Sequence, residues 1–230
     1  MRITALVPSA GVGKRFGQGI KKPFAAMMGK PILLHTVQRL QDIEAISEII
    51  PILRHEDMEE GLKLFESAGI HKVRKIAAGG KERQDSVNNA LKLVDEKTQY
   101  VLIHDGVRPL ITGRLVTTAI QLIAVEKCDG VVLGVPVKDT IKEIMDDGTV
   151  KVTLNREPLW AIQTPQVFPY DVISHAYEKA YEDGFYATDD SALVERMGAK
   201  VKVIPGSYYN IKITTPEDLI LVEALMDKII

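Results

Sequence analysis

The sequence predicts an α/β fold, a three-layer sandwich around a mostly parallel sheet, and three observations lead there. Short β-branched runs alternate with amphipathic segments over the first 136 residues. The runs Val101-Leu102-Ile103 and Val131-Val132-Leu133 are apolar throughout, as strands covered on both faces must be. Right-handed crossovers through the intervening helices then put helices on both sides of the sheet, a Rossmann-like layering. At 230 residues, 46% hydrophobic and 26% charged, the chain is long enough to bury a core unaided, and residues 1–230 are expected to form one domain.

The elements follow in order. Met1-Arg2-Ile3-Thr4-Ala5-Leu6-Val7-Pro8 is too short for a signal h-region or a membrane span and reads as a buried first strand over 3–7. Helix 32–40, strand 48–53, helix 58–68, strand 72–76, helix 82–94, strand 100–104, helix 115–125 and strand 130–136 continue the alternation. After Pro136 it breaks. Half-polar runs at 139–144 and 150–154 flank Asp146-Asp147-Gly148, a hairpin turn signal, so an arm at about 137–160 is expected to leave the sheet. A hairpin alone is marginal in water, and a second copy of the chain is an economical partner for it. Residues 170–183 and 191–197 read as helices and 201–204 as a strand. Thr215-Pro216-Glu217-Asp218 opens a last helix with a threonine N-cap, proline at N1 and acids in the first turn.

Several function classes drop out. With 29 basic and 31 acidic side chains the formal net charge is −2, which offers no global field to nucleic acid or an anionic membrane. Phosphate binding must then rest on a few locally focused cations. Cys128 is alone, so neither an intramolecular disulfide nor a cysteine metal site is expected, which suits a reducing cytoplasm. No apolar stretch approaches the roughly 18 residues of a membrane helix.

The loop Pro8-Ser9-Ala10-Gly11-Val12-Gly13-Lys14-Arg15-Phe16-Gly17 follows a buried strand, at the sheet edge where ligands bind in open α/β folds. Small residues let backbone N–H groups approach an anion, and Lys14 and Arg15 add charge. Arg15 stands where a P-loop needs Ser or Thr. A dinucleotide fingerprint fails as well, because position 16 is not glycine and no acidic residue ends a second strand about 20 residues on. Taken alone, Gly11-x-Gly13 also describes a tight turn. Lys21-Lys22-Pro23-Phe24 brings a second basic pair to the same edge; such cations either sit in solvent or are preplaced around a transferring phosphate.

The pattern Ala10-Gly11-x-Gly13-x-Arg15, with Lys22 seven residues on, resembles the signature loop of the sugar-phosphate nucleotidyltransferases. Later motifs narrow the resemblance to the cytidylyltransferases that make 4-diphosphocytidyl-2-C-methyl-D-erythritol from 2-C-methyl-D-erythritol 4-phosphate and CTP. Gly79-Gly80-Lys81-Glu82-Arg83-Gln84-Asp85-Ser86-Val87 is similar to that family's cytosine-recognising Gly-Gly-x-x-Arg-x-x-Ser-Val segment. His104-Asp105-Gly106-Val107-Arg108-Pro109 resembles its His-Asp-x-x-Arg-Pro signature. Asn210-Ile211-Lys212-Ile213-Thr214-Thr215-Pro216-Glu217-Asp218-Leu219 matches a segment whose lysine positions the sugar phosphate. Trp160 and Thr164-Pro165-Gln166 also fit, with the tryptophan expected as a buried apolar anchor.

The resemblance implies roles. Arg15 and Lys22 are the catalytic cations. Asp105, Arg108, Thr140, Arg156, Thr188 and Lys212 position the polyol phosphate, with Thr140 and Arg156 reaching across a homodimer. Pro8, Ser9, Ala10, Gly11, Gly13, Gly80, Ser86 and Gly106 border the nucleotide. Mg²⁺ is implied on the CTP triphosphate, with no protein ligands assigned. Read from the residues alone, Asp105 with Arg108 can be a structural ion pair, His104 a satisfied strand-end histidine, and Asp189 or Asp190 a helix cap. Departures from the family pattern are Ser9 and Gly106, each where alanine is more usual, and the order Lys21-Lys22-Pro23. Rival readings are a cytidylyltransferase for ribitol 5-phosphate or another polyol phosphate, and a non-catalytic nucleotide-binding protein on the same fold.

Overall fold

A computed structural model describes residues 1–11, 16, 21–126 and 128–229. Its elements are β1 (Ile3–Pro8), β2 (Ala26–Met27), β3 (Lys30–Pro31), α1 (Ile32–Gln41), β4 (Ile46–Leu53), α2 (Met58–Ser67), β5 (Ala77–Ala78), α3 (Arg83–Leu91) and β6 (Tyr100–Ile103), followed by α4 (Gly113–Glu126), β7 (Gly130–Pro136), β8 (Lys142–Ile144), β9 (Val150–Thr153), β10 (Trp160–Pro169), α5 (Tyr170–Glu182), α6 (Asp190–Arg196), β11 (Val201–Pro205) and α7 (Pro216–Ile229). Short 3₁₀ turns occupy Lys22–Phe24 and His55–Asp57.

Seven strands make one sheet in the order β11-β7-β10-β6-β1-β4-β5. All neighbours pair in parallel except β10, which runs antiparallel to both β6 and β7. Successive residues of the central strands serve opposite faces. Ala5, Val7, Leu102, Val131 and Leu133 pack under α1, α2 and α4. Leu6, Val101, Ile103, Val132 and Phe168 pack under α3, α5 and α6. This is the expected three-layer α/β sandwich, and strands apolar on both faces are the reason it closes. A smaller cluster of Met27, Ile32, Val107, Leu110, Ile213, Val222 and Met226 seats α7 against the β2–β3 turn.

Three expectations change. The strand expected at 72–76 shrinks to a bridge between Ile49 and Val73 plus the two residues of β5, because Lys72, Arg74 and Lys75 leave too little apolar surface for an inner strand. β10, which the alternation did not reveal, is the longest strand and lies inside the sheet. Its pairing with β7 shifts register between Gln163 and Gln166, where Pro165 has no N–H for the ladder. Trp160, expected as a buried anchor, is 37% exposed at the root of the arm. Beyond it β8 and β9 form a separate two-stranded hairpin that is exposed along its length, as the turn signal at 146–148 predicts.

The last helix begins as expected, although the capping acceptor is an acid within it. The Asp218 carboxylate accepts from the Thr214 and Thr215 backbone N–H groups at 2.7 and 2.8 Å. The segment ahead of α7, which carries Lys212, is thereby tied to the helix.

Candidate active site

A cavity of about 390 Å³ opens at the carboxyl ends of β1, β4, β5 and β6. β1 sits where the chain first builds outward through β4 and then crosses back to β6, the switch point at which open α/β sheets bind ligands. Pro8, Ser9, Ala10 and Gly11 line one wall, and Gly80 and Ser86 another; Lys22, Arg54 and Lys81 bring cations.

The walls approach closely for local reasons. The Ser9 N–H donates to the Ile52 carbonyl at 2.9 Å and the Gly79 N–H to the Leu53 carbonyl at 2.7 Å. A Cβ on Gly79 would lie 2.3 Å from that of Ala10, so only glycine allows the contact. The Gly80 N–H donates to Ser86 Oγ at 2.9 Å, and that hydroxyl donates to the Glu82 carbonyl at 3.0 Å. Gly106, expected at the nucleotide, stands behind this wall, with its N–H given to the Pro8 carbonyl. A Cβ there would meet Ser9 Oγ at 2.0 Å. The hydroxyl of Ser9 occupies the volume that a methyl at 106 would need, and Leu33 Cδ1 at 2.9 Å and Val7 Cγ1 at 3.1 Å confine the same space.

Asp105, at the end of β6, separates this cavity from a second of about 440 Å³ lined by Arg108, Thr164, Gln166 and Thr188 among others. Arg83, Asp105 and Lys212 line both. Lys212 Nζ lies 3.0 Å and Arg108 Nε 3.3 Å from one Asp105 oxygen, and Arg83 Nε 3.7 Å from the other. Burial alone would raise the pKa of this carboxyl, but Lys212, Arg83 and Arg108 overcome it and hold the group well below the usual carboxylate range. Arg83 reaches on to Asp190 at 2.7 Å, and the buried Tyr177 hydroxyl donates to the same carboxylate at 2.6 Å. Arg108 also donates to the Asn210 carbonyl at 2.6 Å.

His104 is a strand-end core residue, as the residues alone allow. Its Nε2 lies 3.2 Å from the Arg108 carbonyl, which can only accept, so that nitrogen carries the proton. Nδ1 then accepts from the Thr164 hydroxyl at 3.0 Å, and the hydroxyl oxygen accepts from the Asp105 N–H at 3.0 Å. Burial pushes the imidazole down to about 4. Asp189 caps α6, accepting from the Ala192 N–H at 3.1 Å, and holds Gln166 at 2.8 Å.

Of the residues singled out in the sequence, Pro8, Ser9, Ala10, Gly11, Lys22, Gly80, Ser86, Asp105 and Lys212 meet around the first cavity, and Arg108 and Thr188 join Asp105 and Lys212 around the second. Gly13 and Arg15 lie outside the described residues. Thr140 and Arg156 sit on the exposed arm and line neither cavity; Arg156 donates to the Lys138 carbonyl there. Sequence reasoning gave no role to Arg83, although it stands inside the Gly-Gly-x-x-Arg motif, and overlooked Arg54, which no motif marks.

Comparison with known proteins follows the same line. The family model described as IspD, 2-C-methyl-D-erythritol 4-phosphate cytidylyltransferase, matches residues 3–228. A protein of that name from Syntrophus aciditrophicus is 45% identical over 228 residues, covering 99% of this chain and 97% of its own. Another from Geotalea uraniireducens is 44% identical over 232 residues, covering 100% and 98%. The crystal structure of 4-diphosphocytidyl-2C-methyl-D-erythritol synthase from Anaerococcus prevotii superposes with a TM-score of 0.85 at 35% identity, over 98% of this chain and 96% of that one.

Two measurements check the wall and the hub. Gly106→Ala is expected to destabilise the fold by about 1–3 kcal/mol through overpacking, and Ser9→Ala to recover part of that loss in urea unfolding; no recovery refutes the Ser9 hydroxyl as the main obstacle. For His104, the folded pKa of about 4 lies below the ordinary 6.5, so between these values the unfolded chain binds the extra proton. Its contribution is complete above pH 6.5 and is lost as pH falls toward 4, about 3 kcal/mol in all. Unfolding free energies of the natural chain and His104→Gln should therefore converge across that window, and parallel curves would refute the neutral, buried imidazole.

Proposed function

The chain belongs to the 2-C-methyl-D-erythritol 4-phosphate cytidylyltransferase family, and from that premise we propose how its own residues perform the reaction. It is a nucleotidyltransferase that moves the cytidylyl group of CTP onto 2-C-methyl-D-erythritol 4-phosphate, releasing pyrophosphate in isoprenoid-precursor synthesis. The observation that carries the residue assignment is the shared boundary of the two cavities, where Lys212 and Arg83 face both chambers across Asp105.

CTP occupies the first chamber, with its base and ribose against Gly80 and Ser86 and its phosphates along 8–11. The polyol phosphate enters the second chamber, near Arg108, Thr188 and Lys212. Its phosphate oxygen is already ionised and attacks the α-phosphorus without a general base. The new P–O bond forms as the bond from the α-phosphorus to the bridging oxygen breaks, and that electron pair leaves with pyrophosphate. Lys22, with Arg15 assigned the same role from the sequence motif, neutralises charge on the transition state and the leaving group, while Lys212 and Arg108 hold the nucleophile in line.

Mg²⁺ belongs to this reading as the companion of the triphosphate. Among the described residues no group of three or more His, Cys, Asp or Glu side chains is placed to hold a metal, and Asp105 is already taken up by three cations. Mg²⁺ would therefore be carried in on CTP, where it would neutralise charge on the triphosphate.

The arm belongs to a homodimer. Ile144, Met145, Val150 and Val152 are exposed on a two-stranded hairpin too small to support itself, and a second copy of the chain covers them. Thr140 and Arg156 then serve the neighbouring site. No helix among the described residues is long and apolar enough to cross a membrane. With Cys128 as the lone cysteine, the cytoplasm is the compartment we propose, and residues 1–230 act there as one nucleotidyltransferase domain with the arm at about 137–160.

Pyrophosphate release with CTP and Mg²⁺ tests the reading. 2-C-Methyl-D-erythritol 4-phosphate should be turned over in strong preference to ribitol 5-phosphate, and Lys22→Ala or Lys212→Ala should lower the rate about 10²-fold. Unchanged turnover in either variant sinks its assignment. Mixing Lys22→Ala subunits with Arg156→Ala subunits should restore about a quarter of the natural rate, since half the dimers then hold one intact site; no recovery means that Arg156 serves its own subunit.

A further inference from the structure

Lys21 and Lys22 are adjacent in sequence but have different surroundings. Lys22 lines the first cavity. Lys21 turns to the turn after β4, where its Nζ lies 2.6 Å from Asp57 Oδ1 and 2.9 Å from Glu60 Oε2. Asp57 is only 3% exposed, and its other oxygen accepts from Arg54 Nε at 2.7 Å. Arg54 lines the same cavity as Lys22. One buried carboxylate thus joins the segment that carries one cavity cation to the residue that is another.

The backbone on the far side of Lys22 is held too. The Phe24 N–H donates to the Lys21 carbonyl at 2.8 Å and the Ala25 N–H to the Lys22 carbonyl at 3.2 Å, closing a turn around the buried Pro23. Lys22 is therefore bracketed by a tight turn after it and an ion pair before it. Surface ion pairs in general contribute little, but this one centres on a buried carboxylate that two cations share. Lys21 and Arg54 hold the Asp57 carboxyl below its ordinary pKa against the effect of burial, so it remains the anion the pair requires.

We propose that Asp57 is a positioning residue for catalysis: through Lys21 on one oxygen and Arg54 on the other, it fixes Lys22 and Arg54 on the phosphate side of the cavity. Arg54 is accordingly a further cation for the triphosphate. The proposal rests on the assignment of Lys22 to the transferring phosphate.

A double-mutant cycle with pyrophosphate release as readout separates the two. Asp57→Asn is expected to lower kcat about 10- to 100-fold, with a smaller change in the KM for CTP, because misplaced cations weaken the transition state more than the ground state. In a Lys22→Ala background the same change should cost a clearly smaller factor, since of the two cations it positions only Arg54 remains. Lys21→Met, which removes an exposed side chain and leaves Asp57 with Arg54, should show the same pattern and decides the matter if Asp57→Asn does not fold. A purely structural role predicts an equal factor in both backgrounds; that result, or an unchanged kcat in the Asp57→Asn and Lys21→Met enzymes, overturns the proposal. An unchanged Lys22→Ala enzyme instead overturns the assignment of Lys22, and the positioning role with it.

Discussion

A carboxylate that must stay charged while buried organises this site. Asp105 is 5% exposed, and taking an ion out of water costs several kcal/mol unless partners return it. The partners come from three parts of the chain: Arg108 from the same loop, Arg83 from the first turn of α3, and Lys212 from the segment before α7. Arg83 and Lys212 are thereby fixed at the boundary of two chambers, and Arg108 on the side of the second. The balance of the cluster is also informative. Within the ion-pair cluster itself, three cations face two carboxylates, Asp105 and Asp190. A chain of net charge −2 can focus positive charge locally in this way without any global field.

The antiparallel β10 is the second determinant. Inserted between β6 and β7, it delivers Gln163, Thr164 and Gln166 to the floor of the second chamber. Thr164 supports the Asp105 backbone and the His104 ring, Gln166 is braced by Asp189, and Asn210 donates to the Thr164 carbonyl at 2.8 Å. The same strand begins at Trp160, paired with Pro136, so the ladder that floors the chamber also roots the arm.

The parts of the fold legible in the sequence are those whose residues answer to one demand. Val101-Leu102-Ile103 and Val131-Val132-Leu133 need only burial on both faces, and both form inner strands. β10 answers to two demands, pairing and chamber floor, and its Gln163-Thr164-Pro165-Gln166 centre reads as a strand breaker for that reason. Within the site, the glycine loops and Asp105 announce themselves by motif. Nothing in Lys21-Lys22 says which lysine faces the cavity, because the distinction is made by Asp57 and Glu60, more than thirty positions away. Arg83 is legible as a motif member, while its ion pair with Asp190 depends on how α6 packs against α5.

The departures from the family pattern carry more information than the matches. Taken singly, Ser9, Gly106 and Lys21 each weaken a motif, and a purely local reading would count them against the assignment. In space each has an answer. Ser9 and Gly106 share one volume between facing loops, the hydroxyl of the first filling space that a side chain on the second would need. Lys21 gains a buried carboxylate, an electrostatic restraint that reaches across to the turn after β4. At both places the local geometry is set by neighbours that are distant in sequence, Gly106 for Ser9 and Asp57 for Lys21.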